Sequence, residues 1–243
     1  MAEAVDHLTE YREAWARKPV LRAIYGDYYR RITACARPGA TLEIGGGSGN
    51  LKQFLADIVS TDIQHAPWLD AVADAQTLPF RDESFANIVM FDVLHHVERP
   101  RRFLAEVERV LQPGGRLIVV EPDMTPISRV FYRLFHPEPF DMRADPLTEG
   151  ELTRDRDPYA ANQAIPRLLF GPFRARLEQS FPRLRVTVCQ RLGLFAYPLS
   201  GGFRPWSLVP AACVPALLAL ESMLLPLLGP LMAFRMLGVI EKR

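Results

Sequence analysis

Cysteine is scarce in this chain of 243 residues. There are three, Cys35, Cys189 and Cys213, far apart and in no CxxC or Cys/His spacing. That excludes a disulfide framework and a cysteine-based zinc site, and it suits reduced thiols in the cytoplasm. An excess of one charge is also missing. Twenty-nine Lys+Arg against 28 Asp+Glu leave a formal net charge of +1, with no basic tail. The electrostatic footprint of a nucleic-acid binder is therefore absent. The opening stretch, Met1 to Lys18, is charged throughout and lacks the apolar core of a signal peptide or anchor. No metal and no nucleic-acid partner is expected.

What is present is the composition of a folded globular protein, 49% hydrophobic and 23% charged. The length allows one α/β domain with additions. Residues 1–37 read as a helical cap, with Leu21, Ile24, Tyr25, Tyr28 and Ile32 at helical spacing. Strands and helices then alternate. TLEI (41–44), IVSTD (58–62), AVAD (71–74), FANIVMFD (85–92) and RLIVVEPD (116–123) read as strands. NLKQFLA (50–56) reads as a short helix, and PRRFLAEVERVL (100–111) as a helix ended by QPGG. This alternation predicts a parallel sheet covered on both faces. A helix and an irregular excursion follow over 124–165, then a helix at 172–181 and strands at 183–192 and 234–243.

Residues 201–233 form an apolar insert between the last two strands. Pro210, Pro215, Pro226, Gly229 and Pro230 punctuate it and Glu221 interrupts it. These breakers predict several short helices packed as a cap on the domain rather than a spanning segment. A greasy substrate pocket or a contact with the inner face of a membrane is the alternative use of such a surface.

The stretch LEIGGGSGN (42–50) carries the chemistry. A dinucleotide fingerprint needs G-x-G-x-x-G, but Asn50 occupies the third glycine position. A P-loop needs Gly-Lys-Ser/Thr, but Leu51 precedes Lys52. Glu43 would repel a pyrophosphate and suits a cationic ligand. Gly45, Gly46, Gly47 and Gly49 let a backbone approach that ligand closely. Asp62, with Ile63, ends the second strand where a carboxylate can take both ribose hydroxyls, and Asp74 with Ala75 is placed for the adenine edge. The ligand implied is a nucleoside with a cationic, amino-acid-like arm.

In these motifs the chain resembles the class I S-adenosylmethionine-dependent methyltransferases, of the group that includes quinone and small-molecule methyltransferases. EIGGGSG (43–49), the acid Asp62, DAQTLPF (74–80), FDVLHHV (91–97) and RVLQPGGRLIVVEPD (109–123) match five ordered motifs of that family. The resemblance implies a Rossmann-like, doubly wound, three-layer α/β/α fold. Its seven strands are mostly parallel, with the last antiparallel between its neighbours. It implies S-adenosyl-L-methionine as cofactor, bound by Glu43, Gly45, Gly46, Gly47, Gly49, Asp62, Ile63, Asp74, Ala75, Phe91 and Asp92. The family departure at Asn87, usually Asp, lies away from these positions.

The expected organisation is a single domain, 1–243, with a cofactor-binding half at 38–123 and a substrate-side insert at 124–165. His95, His96 and His136 are candidate proton acceptors, because a histidine titrates near neutral pH. Tyr28, His136 and Glu138 are candidate substrate contacts. The expected reaction is in-line methyl transfer to a small lipophilic acceptor, a lipid or a quinone. The alternatives are a non-catalytic cofactor-binding scaffold that docks a partner through the apolar insert, and a nucleotide-dependent oxidoreductase, against which Glu43 and Asn50 argue.

Overall fold

The computed structural model describes residues 7–243; the expected helix over Ala2–Lys18 therefore lies partly outside the described residues. The cap is two helices, α1 (His7–Arg17) and α2 (Pro19–Cys35). Pro19 opens α2 at a position where its missing N–H costs nothing. Leu21, Ile24, Tyr25, Tyr28 and Ile32 are buried along one side of α2, as their spacing predicts.

The sheet strands are β1 (Thr41–Ile44), β2 (Ile58–Asp62), β3 (Ala71–Val72), β4 (Phe85–Phe91), β5 (Leu111–Pro122), β6 (Leu184–Leu192) and β7 (Arg235–Lys242). Their order is β3-β2-β1-β4-β5-β7-β6. The first five are parallel, and β7 runs antiparallel to both β5 and β6. This is the Rossmann-like arrangement expected. The order reverses beside β1, so β1 and β4 end at the crevice where such sheets bind ligands. The helices are α3 (Pro100–Val110), α4 (Pro126–Phe135), α5 (Ile165–Phe170), α6 (Arg174–Ser180), α7 (Ala196–Ser200) and α8 (Val214–Met232). On α3, Phe103, Leu104, Val107 and Val110 are buried at i, i+3/i+4 spacing, each contributing roughly 1.5–3 kcal/mol of burial.

Several elements differ from the reading of the sequence. NLKQFLA is only a turn of 3-10 helix, Asn50–Gln53, entered through left-handed Gly49, against which Trp68 packs. The second strand begins five residues later, which leaves no length for an α-helix. QPGG lies inside the span of β5, opposite a register shift in β4, rather than outside it. α5 and α7 are additional short helices. Asn87 holds Arg37 by both its amide atoms, receiving the backbone N–H at 2.8 Å and donating to the carbonyl at 2.8 Å. An Asp there would lack the donor.

The largest correction is the apolar insert. It is one continuous 19-residue helix, α8, with Pro226 and Pro230 inside it. The two prolines are four apart, so they share an exposed face. Nor is it a buried cap: among its residues Val214, Glu221 and Gly229 are buried, while Met223 and Leu227 are each 78% exposed. Glu221 anchors it. Its Oε1 accepts the backbone N–H groups of Leu194 (2.9 Å), Phe195 and Ala196 (2.6 Å) at the start of α7. Ala211–Met232 is long and apolar enough, by length and composition, to cross a membrane. The anchor in its middle ties it along the domain instead.

Candidate active site

A cavity of about 820 Å³ opens at the carboxyl ends of β1, β2 and β4. Fourteen of the residues singled out in the sequence line it: Glu43, Gly45, Gly46, Gly47, Asp62, Ile63, Asp74, Ala75, Phe91, Asp92, His95, His96, His136 and Glu138. Gly49 and Tyr28 are not among its lining residues. Gly49 supports the turn from behind, under Trp68. Tyr28 is buried behind the wall with an unpartnered hydroxyl, and Tyr25, one turn earlier, takes the lining position.

The glycine turn is built by backbone conformation. Gly45 has φ +70° and Gly47 φ +50°, values that disfavour a Cβ. A Cβ on Gly45 would overlap Val93, whereas one on Gly47 would meet nothing closer than 3.9 Å. The backbone at Gly47 therefore faces open space that a ligand can fill. Asp62 holds the turn: its Oδ2 accepts the Gly47 N–H and its Oδ1 the Gln64 N–H, each at 3.0 Å. Asp74 likewise accepts the Gln76 N–H at 2.8 Å. Ile63 stands 50% exposed beside them, an apolar surface for a flat ring.

Glu43 is 5% exposed. Burial pushes its carboxyl up to about 7, against the hydrogen bond it receives from Ser60 Oγ. A buried carboxylate of this kind is stabilised by a cationic partner. Open glycine backbone, Glu43 and the carboxylates on two neighbouring strand ends together fit an adenosine with an ammonium-bearing arm.

The far side of the cavity is aromatic. Tyr25, Tyr29, Phe91, Tyr132 and Tyr197 line it with Arg235. Asp92 is held left-handed, φ +58°, at the end of β4 and pairs with Arg235 at the start of β7. The guanidinium lies 4.4 Å from the Tyr197 ring and 5.7 Å from the Phe91 ring. Sequence reasoning missed Arg235 because only the antiparallel course of β7 brings its first residue to this edge.

Next to Asp92 lies a polar cluster. Glu121, at the end of β5 and fully buried, accepts the N–H groups of Val93 (2.8 Å) and Leu94 (2.7 Å). Its other oxygen meets His95 Nδ1 at 2.6 Å. His95 Nε2 lies 3.3 Å from Glu138. Burial draws the His95 pKa down, but the two carboxylates outweigh it and raise it to about 10. The same contact, working against burial, holds Glu138 at about 2. Gln163 donates to Glu138 (2.8 Å) and to His136 Nδ1 (2.9 Å). His95, His96 and Glu138 are close enough to share a metal ion, as are Asp92, His95 and Glu121. Neither trio was expected from the sequence.

Phe131 and Phe135 of α4, with Arg204 and Trp206, form one side of the mouth. Lys18 fixes the segment beside it, donating to the carbonyls of Ser200 (2.6 Å), Gly202 (2.6 Å), Arg204 (2.7 Å) and Trp206 (2.9 Å).

A family model described as a methyltransferase domain matches residues 42–119. A ubiquinone/menaquinone biosynthesis C-methyltransferase from Laribacter hongkongensis is 32% identical over 156 residues, 54% of this chain and 62% of that one. A phthiotriol/phenolphthiotriol dimycocerosates methyltransferase from Mycobacterium tuberculosis is 41% identical over 113 residues, 39% of this chain and 42% of that one. The chain thus spans less than two thirds of either relative. An S-adenosylmethionine-dependent methyltransferase from Thermotoga maritima matches in structure with a TM-score of 0.55 at 16% identity, over 96% of this chain and 94% of that one. That likeness concerns the fold.

Proposed function

We propose that the chain, whose residues 42–119 match a methyltransferase-domain model, is an S-adenosylmethionine-dependent methyltransferase that acts on a small lipophilic acceptor delivered from a membrane surface. The observation that carries this reading is the continuity of one cavity. The glycine turn, Asp62 and Asp74 line one end, the tyrosine-rich chamber lines the other, and the mouth meets an exposed apolar surface. When bound, S-adenosylmethionine supplies an electrophilic methyl group on a cationic sulfur. The chain's own part is to position the acceptor in line and exclude water. Glu43 receives the ammonium end, Asp62 the ribose and Asp74 with Ala75 the adenine. Phe91 and Asp92 stand where the two halves of the cavity meet.

The apolar surface is made by α4 and α8, which pack together. Ile127, Val130 and Leu134 on α4 and Leu220, Met223 and Leu227 on α8 are exposed. α4 carries Arg129 and Arg133 and no acid, and the single charge of α8 is the buried Glu221. Of the two, Arg129 is half-buried and Arg133 is exposed, so the exposed charge of these two helices is positive, complementary to anionic headgroups. Relatives named for quinone biosynthesis and for phthiotriol dimycocerosates support a lipophilic acceptor.

The test is methyl transfer from an isotopically labelled donor to a prenylated naphthohydroquinone in phosphatidylglycerol-containing vesicles, read by mass spectrometry. A labelled product supports the reading. Cofactor binding without transfer to any lipid or quinol acceptor would favour a scaffold that uses the same apolar face.

A further inference from the structure

The cavity holds several groups able to handle a proton, and their hydrogen bonds sort them. His95 is 3% exposed, and each of its nitrogens faces a carboxylate, Glu121 at 2.6 Å and Glu138 at 3.3 Å. Both nitrogens therefore carry protons, and no lone pair is left. Glu121 is filled by Val93 N–H, Leu94 N–H and His95. His136 Nδ1 accepts the backbone N–H of Glu138 at 3.3 Å, a donor that cannot flip, and the Gln163 amide at 2.9 Å. That amide is oriented by the bond from the same nitrogen to Glu138. Neutral His136, its pKa lowered by burial, thus carries its proton on Nε2. It offers a donor, not a base. Asp92 is engaged by Arg235. His96 has a buried, unpartnered Nδ1, and its Nε2 sits 4.0 Å from Glu138 Oε1, beyond hydrogen-bond reach.

Within this cluster Glu138 is the carboxylate that keeps an open oxygen toward the cavity, whereas the free His96 Nδ1 is buried. Glu138 lines the cavity with its side chain 27% exposed; its Oε2 accepts the Gln163 amide and faces His95 Nε2 at 3.3 Å. Among the described residues its Oε1 has no hydrogen-bond partner, His96 Nε2 lying 4.0 Å away. We propose that Glu138 Oε1 is the proton acceptor of the transfer, with His136 Nε2–H steadying the acceptor oxygen and Glu121 positioning Glu138 through His95. The proposal rests on the methyltransferase reading and specifies a hydroxyl-bearing acceptor.

The step balances. The acceptor oxygen forms a bond to the methyl carbon, and the carbon–sulfur bond breaks with its electron pair going to sulfur. The acceptor O–H bond breaks, its electron pair stays on oxygen and the proton goes to Glu138 Oε1. One positive charge on sulfur and one negative charge on Glu138 vanish together. The His95–Glu121 pair keeps its charges throughout. The other titratable or charged groups around Glu138 are His96, His136 and Tyr11, with Arg235 beyond His136 and Arg156 held on the His96 carbonyl.

Two measurements test this on the full chain. Histidine 15N NMR with S-adenosylhomocysteine present should show His95 doubly protonated at neutral pH and His136 as the Nε2–H tautomer. A neutral His95, or a proton on His136 Nδ1, overturns the assignment whatever the acceptor is. With the prenylated naphthohydroquinone, Glu138→Gln should lower kcat about 10²-fold, with KM and S-adenosylhomocysteine affinity unchanged. Glu121→Gln should bring the acid limb of kcat/KM up into the accessible pH range, a shift that a merely structural loss would not produce. Full kcat in Glu138→Gln, an equal loss shifted to His96→Asn, or a stoichiometric metal ion released by Glu138→Gln each overturns the role while leaving the methyltransferase reading intact. Failure of wild type to bind S-adenosylhomocysteine removes that reading itself.

Discussion

Arg235 and Asp92 form an ion pair across β5: one opens β7, the other follows β4, and the antiparallel course of β7 puts both at the cavity. Arg235 is 3% exposed, with its Nε unpartnered. Its charge is balanced by Asp92 and the faces of Tyr197 and Phe91. Removing Asp92 leaves that cation buried and uncompensated. Asp92→Ala should destabilise the fold by about 3 kcal/mol in urea unfolding; an unchanged midpoint would show that the pair carries no stability.

Glu43 gives a pH-dependent prediction. Its folded pKa of about 7 lies above the ordinary 4.5. The native state therefore favours the protonated form. That contribution is full below about 4.5 and is lost as pH rises through about 7. Glu43→Gln keeps an acceptor for Ser60 and cannot ionise. Its Tm should exceed wild type at about pH 8 and converge with it near pH 5. Its S-adenosylhomocysteine affinity should fall about tenfold. A Tm difference independent of pH would contradict the assignment.

The anchors of the mouth are separable from the site. Glu221→Ala leaves three backbone N–H groups of the α7 entry without their acceptor, a cost of about 2–3 kcal/mol. Lys18→Met frees four carbonyls of the 200–206 segment. Both variants should speed protease cleavage within 200–213 relative to wild type, as seen in limited digestion. Equal cleavage rates would show that these contacts do not hold the segment.

The exposed face of α4 and α8 predicts lipid binding. Met223→Asp with Leu227→Asp should abolish co-sedimentation with phosphatidylglycerol-containing vesicles while leaving Tm within about 2 °C of wild type, since neither side chain is packed. Retained binding would place the lipid contact elsewhere.

The glycine-turn end of the cavity was legible because its signals are local. Glu43, the glycines, Asp62 and Asp74 each sit at a strand end, and strand periodicity plus turn residues locate those ends. The tyrosine-rich end was not. Arg235, Tyr132 and Tyr197 reach the cavity from distant segments, and only the order of β5, β7 and β6 brings them together. Tyr28 and Tyr25 lie on the same side of α2, so helical spacing alone could not tell the lining residue from the one behind it. The prolines of α8 argued for breaks because local propensity counts lost hydrogen bonds. The Glu221 anchor and the packing of one face hold the helix continuous. Glu121 looked like part of an apolar strand, although it ends the strand that closes the histidine cluster.

The central claim is that the glycine turn and Asp62 hold S-adenosylmethionine, and calorimetric titration with S-adenosylhomocysteine tests it most directly. Wild type should bind in the micromolar range and ignore NADH. Gly47→Arg, which fills the open space before the turn, and Asp62→Ala, which releases Gly47 N–H and Gln64 N–H, should lose most of that affinity with circular dichroism unchanged. No heat of binding in folded wild type, or equal affinity in both variants, would contradict the account.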